Sequence, residues 1–310
     1  MPIFEGKYDY VRAGVIDYGY QQLESTLKTP EFVELAKLYV VSTNRLRSFF
    51  ELPLQLIFWS GLVSQIKFIG RYHAGLDPED ESRDDEPKVQ ASITAHYNQR
   101  VGNPDPKKLL DFSSNALGSM IGDNGTTKVE AACQGVEAAL AAMIMTAYAT
   151  FETLASDLWV CAVNRHVSLA KNWASENKSK QLTMEDIYGH GGDLSKISGT
   201  ALHQTQKVTF ESLKNIRTAY SHAFKGEVND VFDCPELIMA EKTRHLFAHR
   251  GGLIDRRFKD DTSQFDEYKE VVIGERLRLT GPVTGHLINA CVSRGTKLLL
   301  LVDGWSQTHL

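Results

Sequence analysis

Ala138-Ala-Leu-Ala-Ala-Met-Ile-Met-Thr-Ala-Tyr-Ala-Thr-Phe-Glu-Thr-Leu-Ala-Ser-Asp-Leu-Trp-Val-Cys161 decides the fold class. Leu140, Ile144, Ala147, Phe151, Leu154, Leu158 and Cys161 step by three or four residues. That spacing stacks side chains on one side of an α-helix and predicts a wide buried stripe. Glu152 and Asp157 interrupt the apolar character. The same pattern extends from about Lys128 to Ser175, the longest helical signal in the chain.

Other helical patterns lie on both sides of it. Pro30-Glu31 opens one, with Phe32, Leu35, Leu38 and Val41 near the helical period. Pro53 is expected to end it, leaving a second helix over 54–69 interrupted by Gly61. Toward the C-terminus, 205–224 reads as amphipathic through Phe210, Leu213, Ile216 and Tyr220. Pro235 opens a further helix, and Val283–Val302 reads as the last. Val271–Thr280 alternates and is expected as a short hairpin or an extended link. Nothing supports βαβ units, so the expected class is all-α. The break Gly122-Asp-Asn-Gly-Thr-Thr127 is expected to divide a helical accessory region, 1–128, from a helical domain, 129–310. Within the first part, the acidic run 77–86 contains Pro78, is followed by Pro87 and is expected to be a mobile solvated loop; a loop of that charge can also occlude a basic site.

Composition narrows the functional classes. Asp and Glu outnumber Lys and Arg by 39 to 34, a net charge of −5, so a nucleic-acid site would have to be a local basic patch. Cys133, Cys161, Cys234 and Cys291 form no Cys-x-x-Cys pair, which argues against a zinc ribbon or disulfide framework and is compatible with a reducing cytosol. The N-terminus has no signal-peptide pattern. The apolar runs 56–63 and 138–151 fall short of the roughly 20 residues that span a bilayer. The expectation is a cytoplasmic protein without a membrane segment.

The chemistry concentrates in Glu241-Lys-Thr-Arg244-His245-Leu-Phe-Ala-His249-Arg250-Gly251-Gly252-Leu-Ile-Asp255-Arg256-Arg257. On a helix His245 and His249 share a face, about 40° apart in projection. Arg244 lies about 100° round from His245, within reach of a shared cleft. Gly251-Gly252 is a natural helix end, placing His249 in the last turn, where the helix dipole favours a protonated imidazole. Lys242, Arg250, Arg256, Arg257 and Lys259 surround it as a local basic patch. Three readings are open. The cations could cap carbonyls and pair with Asp255, Asp260 and Asp261. The His-x-x-x-His spacing could hold zinc, but Leu246 stands where the metalloprotease pattern has its glutamate. Or Arg neutralises a phosphate while His transfers protons, which is metal-independent phosphodiester cleavage.

Arg244-His245-x-x-x-His249 resembles the R-x4-6-H motif of the HEPN superfamily. Phe151-Glu152-x-Leu154 on the long helix is similar to that family's first core helix, 210–224 to its middle helix, and His249–Asp255 to the turn after its histidine. The resemblance covers about residues 130–305. It implies an HEPN-like bundle that dimerises, with two Arg/His motifs facing each other in a composite active site. It implies an endoribonuclease, as in toxins and antiviral defence effectors, that leaves a 2′,3′-cyclic phosphate without metal or other cofactor. His249 would transfer the proton, Arg244 would clamp the phosphate, His245 would support them and Glu152 would orient Arg244 or a histidine. Arg250, Arg256 and Arg257 are the expected RNA-binding cations. The His-x-Tyr extension of some toxin members is absent, since position 251 is Gly. Members that only bind nucleic acid or protein exist, and such a silent module is the alternative. Residues 1–128 would sense, target or restrain the site, with a regulatory partner acting through them.

Overall fold

The computed structural model describes residues 18–101, 130–178, 182–189 and 193–309. The break expected at 122–127 lies outside them. A 3-10 turn at Tyr18–Gln22 and one helical turn at Leu23–Thr26 lead into α1 (Pro30–His73) and α2 (Pro87–Val101). Then come α3 (Glu130–Arg165), α4 (Val167–Glu176), α5 (Met184–Gly189), α6 (Leu194–Gln204) and α7 (Leu213–Phe224). α8 (Pro235–Arg250), α9 (Arg256–Thr262) and α10 (Gly281–Thr308) complete the series. No strand occurs among the described residues, and the fold is all-α.

Two local expectations are corrected, and of the hairpin or extended link open for 271–280 the extended link is found. α1 runs through Pro53 instead of stopping there. The helix expected over 205–224 begins at Leu213, because Gln206 takes a left-handed conformation (φ 56°) and the Ser212 hydroxyl then caps a new start by accepting from Asn215 N–H. The segment 271–280 forms no hairpin. It makes a single antiparallel bridge, Leu253 to Arg276, with Ile254 N–H donating to Glu275 C=O at 2.8 Å.

The chain forms two compact units. Of the described residues, one unit holds 48–101, 130–136 and 280–282; the other holds 18–47, 137–178, 182–189, 193–279 and 283–309. The C-terminal unit therefore takes in the first half of α1, which the sequence had grouped with the accessory region.

In the first unit the acidic run is tied down instead of being free. Arg71, only 3% exposed, donates from Nε to Asp84 at 2.6 Å and from Nη1 to Pro78 C=O at 2.5 Å, and its Nη2 lies 3.4 Å from Glu81. Lys67 adds a second contact to Asp84 at 3.2 Å. The hydrogen bond from Arg71 holds the Asp84 carboxyl below the usual carboxylate range. A buried guanidinium must direct its donors to acceptors, and the folded-back run supplies three of them.

The second unit is built on α3. Leu140, Ile144, Ala147, Phe151, Leu154 and Leu158 are buried, as the stripe predicts; Cys161 is only partly covered. From Gln134 to Arg165 this helix is, by length and composition, long and apolar enough to cross a membrane, contrary to the shorter runs read from sequence. Half of its most apolar window is packed inside the protein. Trp159 Nε1 donates to Ala219 C=O at 3.1 Å, and Tyr220 OH donates back to Ala155 C=O at 2.8 Å, joining α3 to α7. Asn172 joins α4 to the same helix through Ala223 C=O at 3.0 Å. Tyr39 on α1 donates to Val292 C=O on α10 at 2.8 Å, where Gly295 leaves room for its ring. Asp303, also on α10, accepts from Lys28 and Thr29 N–H at 3.0 and 2.9 Å, capping the approach to α1.

Gly199 lets α6 approach α3 closely: a Cβ there would sit 2.4 Å from the Val160 carbonyl oxygen. Backbone cannot yield as a side-chain tip can. Gly199→Ala is expected to cost ~1–3 kcal/mol, as overpacked cores do, read as a lower urea midpoint. In the first unit, Arg71→Ala should release the acidic run, seen as faster cleavage by a glutamate-specific protease at Glu79 or Glu81.

Candidate functional site

α8 begins at Pro235, whose missing N–H costs nothing at a helix start. It buries Leu237, Ala240, Thr243 and Leu246, and Thr243 shares a 2.8 Å hydrogen bond with the Tyr268 hydroxyl. Arg244, His245 and His249 fall off that buried face. The helix stops at Gly251 (φ 57°), whose N–H reaches the carbonyls of Leu246 and Phe247. At Gly252 (φ 84°) a Cβ would lie 2.7 Å from the Phe247 ring, so the second glycine is needed for contact as well as for conformation. Beyond the turn, Asp255 accepts from Phe258 N–H at 2.8 Å and starts α9.

The facing wall is the N-terminus of α7. Glu241 accepts from Leu213 N–H at 2.6 Å, satisfying a helix-start donor with a carboxylate where the dipole favours negative charge. Between the walls lies a cleft of about 410 Å³. Arg244, His245, His249, Arg250 and Arg257 line it. Glu152 is not in the lining but reaches Arg244 from α3, with Nη2 and Oε2 3.6 Å apart. Arg256 is exposed and is not part of the cleft. Sequence reasoning missed Lys214, Asn215 and Glu241, which also line it together with Asp261, already read as a carboxylate partner. The capping Ser212 was the available signal for the α7 wall; nothing local marks Glu241 as its anchor.

The electrostatics agree in part with the first of the three readings, in which the cations pair with Asp255, Asp260 and Asp261. Lys242 pairs with Asp261 at 2.8 Å, Arg257 with the same carboxylate at 4.0 Å, and Arg250 with Asp255 at 3.8 Å. The His245 and His249 rings lie 4.4 Å apart, tilted by 49°. Loss of hydration, followed by the charges of His249, Arg257, Lys242 and Arg244, pushes the His245 pKa below the ordinary histidine value. Neutral His245 can accept a proton. Burial raises the Glu152 pKa, with Glu241 and Glu211 adding to the rise and Arg244 opposing it. Arg244 also lies over the Tyr148 ring, 6.0 Å from its centroid. Among the described residues no group of three or more His, Cys, Asp or Glu is placed to hold a metal ion.

Comparison with protein-family models, with characterised proteins and with solved structures finds no match to this chain.

The Arg244–Glu152 pair carries a pH signature. Glu152 has a raised folded-state pKa, so its contribution to stability is present at low pH and lost as pH rises through that value. Arg244 opposes the loss by pairing with the carboxylate. Arg244→Ala should therefore destabilise by ~1–2 kcal/mol near pH 7, between the worth of exposed and buried pairs. The difference from wild type should shrink toward pH 4 as Glu152 protonates, measured by urea unfolding at both pH values.

Proposed function

We propose that this protein is a metal-independent endoribonuclease of HEPN type, cytoplasmic, and active as a homodimer with two such clefts facing one another. The observation that supports the reading is the convergence of Arg244, His245 and His249 on one cleft, with Glu152 bracing the arginine. In the reaction, an RNA 2′-hydroxyl attacks the adjacent phosphorus. A histidine takes the hydroxyl proton, the bond from phosphorus to the 5′ oxygen breaks, and that oxygen leaves with a proton. The products are a 2′,3′-cyclic phosphate and a 5′-hydroxyl. Arg244 neutralises charge building on the phosphorane oxygens, and His249 transfers protons, with His245 beside it. Lys214 and Arg250 are exposed cations in the same lining, suited to neighbouring phosphates. A toxin or antiviral defence role follows from the family resemblance and belongs to the same proposal, as does regulation through residues 1–128.

A second reading, a catalytically silent module that binds nucleic acid or protein, is favoured by the pairing of most cleft cations with carboxylates. The two separate on one assay. Pure protein incubated with mixed RNAs in EDTA should cleave them, and Arg244→Ala or His249→Ala should each slow cleavage by about 10²–10⁴-fold. Cleavage untouched by both substitutions removes the site; RNA binding without cleavage favours the silent module.

A further inference from the structure

The two histidines offer a chemistry beyond proton transfer. They stand four residues apart in the last turns of α8, with ring centroids 4.4 Å apart, and both are exposed to the cleft. The Gly251 cap and the contact of Gly252 with Phe247 hold that helix end in place, so the two rings stay neighbours. Side chains at this spacing face one another along a helix, and imidazole is the side chain best suited to zinc, copper and nickel.

We propose that His245 and His249 form a two-imidazole clip for a divalent transition ion of the zinc and nickel class, and that the bound ion shuts off the cleft. A dication does not enter an uncompensated positive field, because the four nearest cations stand among four carboxylates: Arg244 beside Glu152, Arg250 beside Asp255, Lys242 and Arg257 sharing Asp261, and Glu241 3.9 Å from Lys242. Among the described residues no third protein ligand is placed for the ion, and Leu246 occupies the position where the metalloprotease pattern has its general base. Water completes its coordination, and the ion has no catalytic work. It occupies the nitrogens that proton transfer needs. The shut-off rests on the nuclease reading; the binding does not. Its consequence has the opposite sign to that of a metalloenzyme: chelation raises RNA cleavage, and added zinc lowers it.

Calorimetric titration of the full chain with zinc chloride, and separately with nickel chloride, tests the clip without RNA. Wild type should bind one ion at this site. His245→Ala and His249→Ala should each weaken it at least about tenfold, the lower end of what loss of even an outer-shell partner costs a metal site. Arg244→Ala should still bind zinc. The other close ring pair, His73 and His96 at 4.9 Å, provides the control, and His73→Ala should leave this binding unchanged. Full binding by the double variant His245→Ala/His249→Ala, with helicity intact by circular dichroism, overturns the clip, as does its loss in His73→Ala alone. Zinc binding that depends on both histidines in a protein that never cleaves RNA upholds the clip and removes the nuclease reading. Cleavage that ignores zinc at saturation overturns the shut-off.

Discussion

Two buried aromatic donors hold the second unit in register. Trp159 and Tyr220 are both fully buried, and each has one polar hydrogen that must find an acceptor or cost its desolvation. Each finds a carbonyl on the other's helix, so α3 and α7 are joined in both directions. This reciprocal contact fixes rotation and translation together, which apolar packing alone does not. Tyr148 and Glu152 project from the same α3 toward Arg244. The position of α7 also sets where Leu213 N–H meets Glu241. The cleft therefore inherits its geometry from a hydrogen-bonded crossing outside it.

Charge in the cleft is matched instead of accumulated. The three carboxylates come from different elements: α3 supplies Glu152, the post-helix turn Asp255, and α9 Asp261, which two cations share. These carboxylates keep closely spaced cations on α8 and α9 from repelling one another, and they would yield to a stronger anion only at the cost of their own pairs. An anionic ligand must offer several charges at once to displace them, which a polyphosphate chain does and a lone small anion does not.

Much of this was legible beforehand because it is periodic. The stripe on α3 and the helix opened by Pro235 and closed by Gly251-Gly252 depend on neighbours three or four residues away, which a linear reading sees. The misreadings share one cause. Pro53 looked like a stop, yet α1 continues through it because the cost of one proline is small beside the packing of a 44-residue helix. The acidic run looked free because Arg71, the cation that organises it, precedes it by several residues and points inward. Arg256 looked like its neighbour Arg257, but successive residues at a helix start face different ways, and only one reaches the cleft.

The sequence by itself determined the all-α class, the end of α8, and the sharing of one face by His245 and His249, because each follows from helical spacing and from glycine's tolerance of positive φ. Only the tertiary structure decided which charges meet. The 28 residues between Leu213 and Glu241, and the 92 between Glu152 and Arg244, have no short-range signature that pairs them. Electrostatic partners are set by where helices cross, and the crossing here was decided by buried donors seeking carbonyls on another helix.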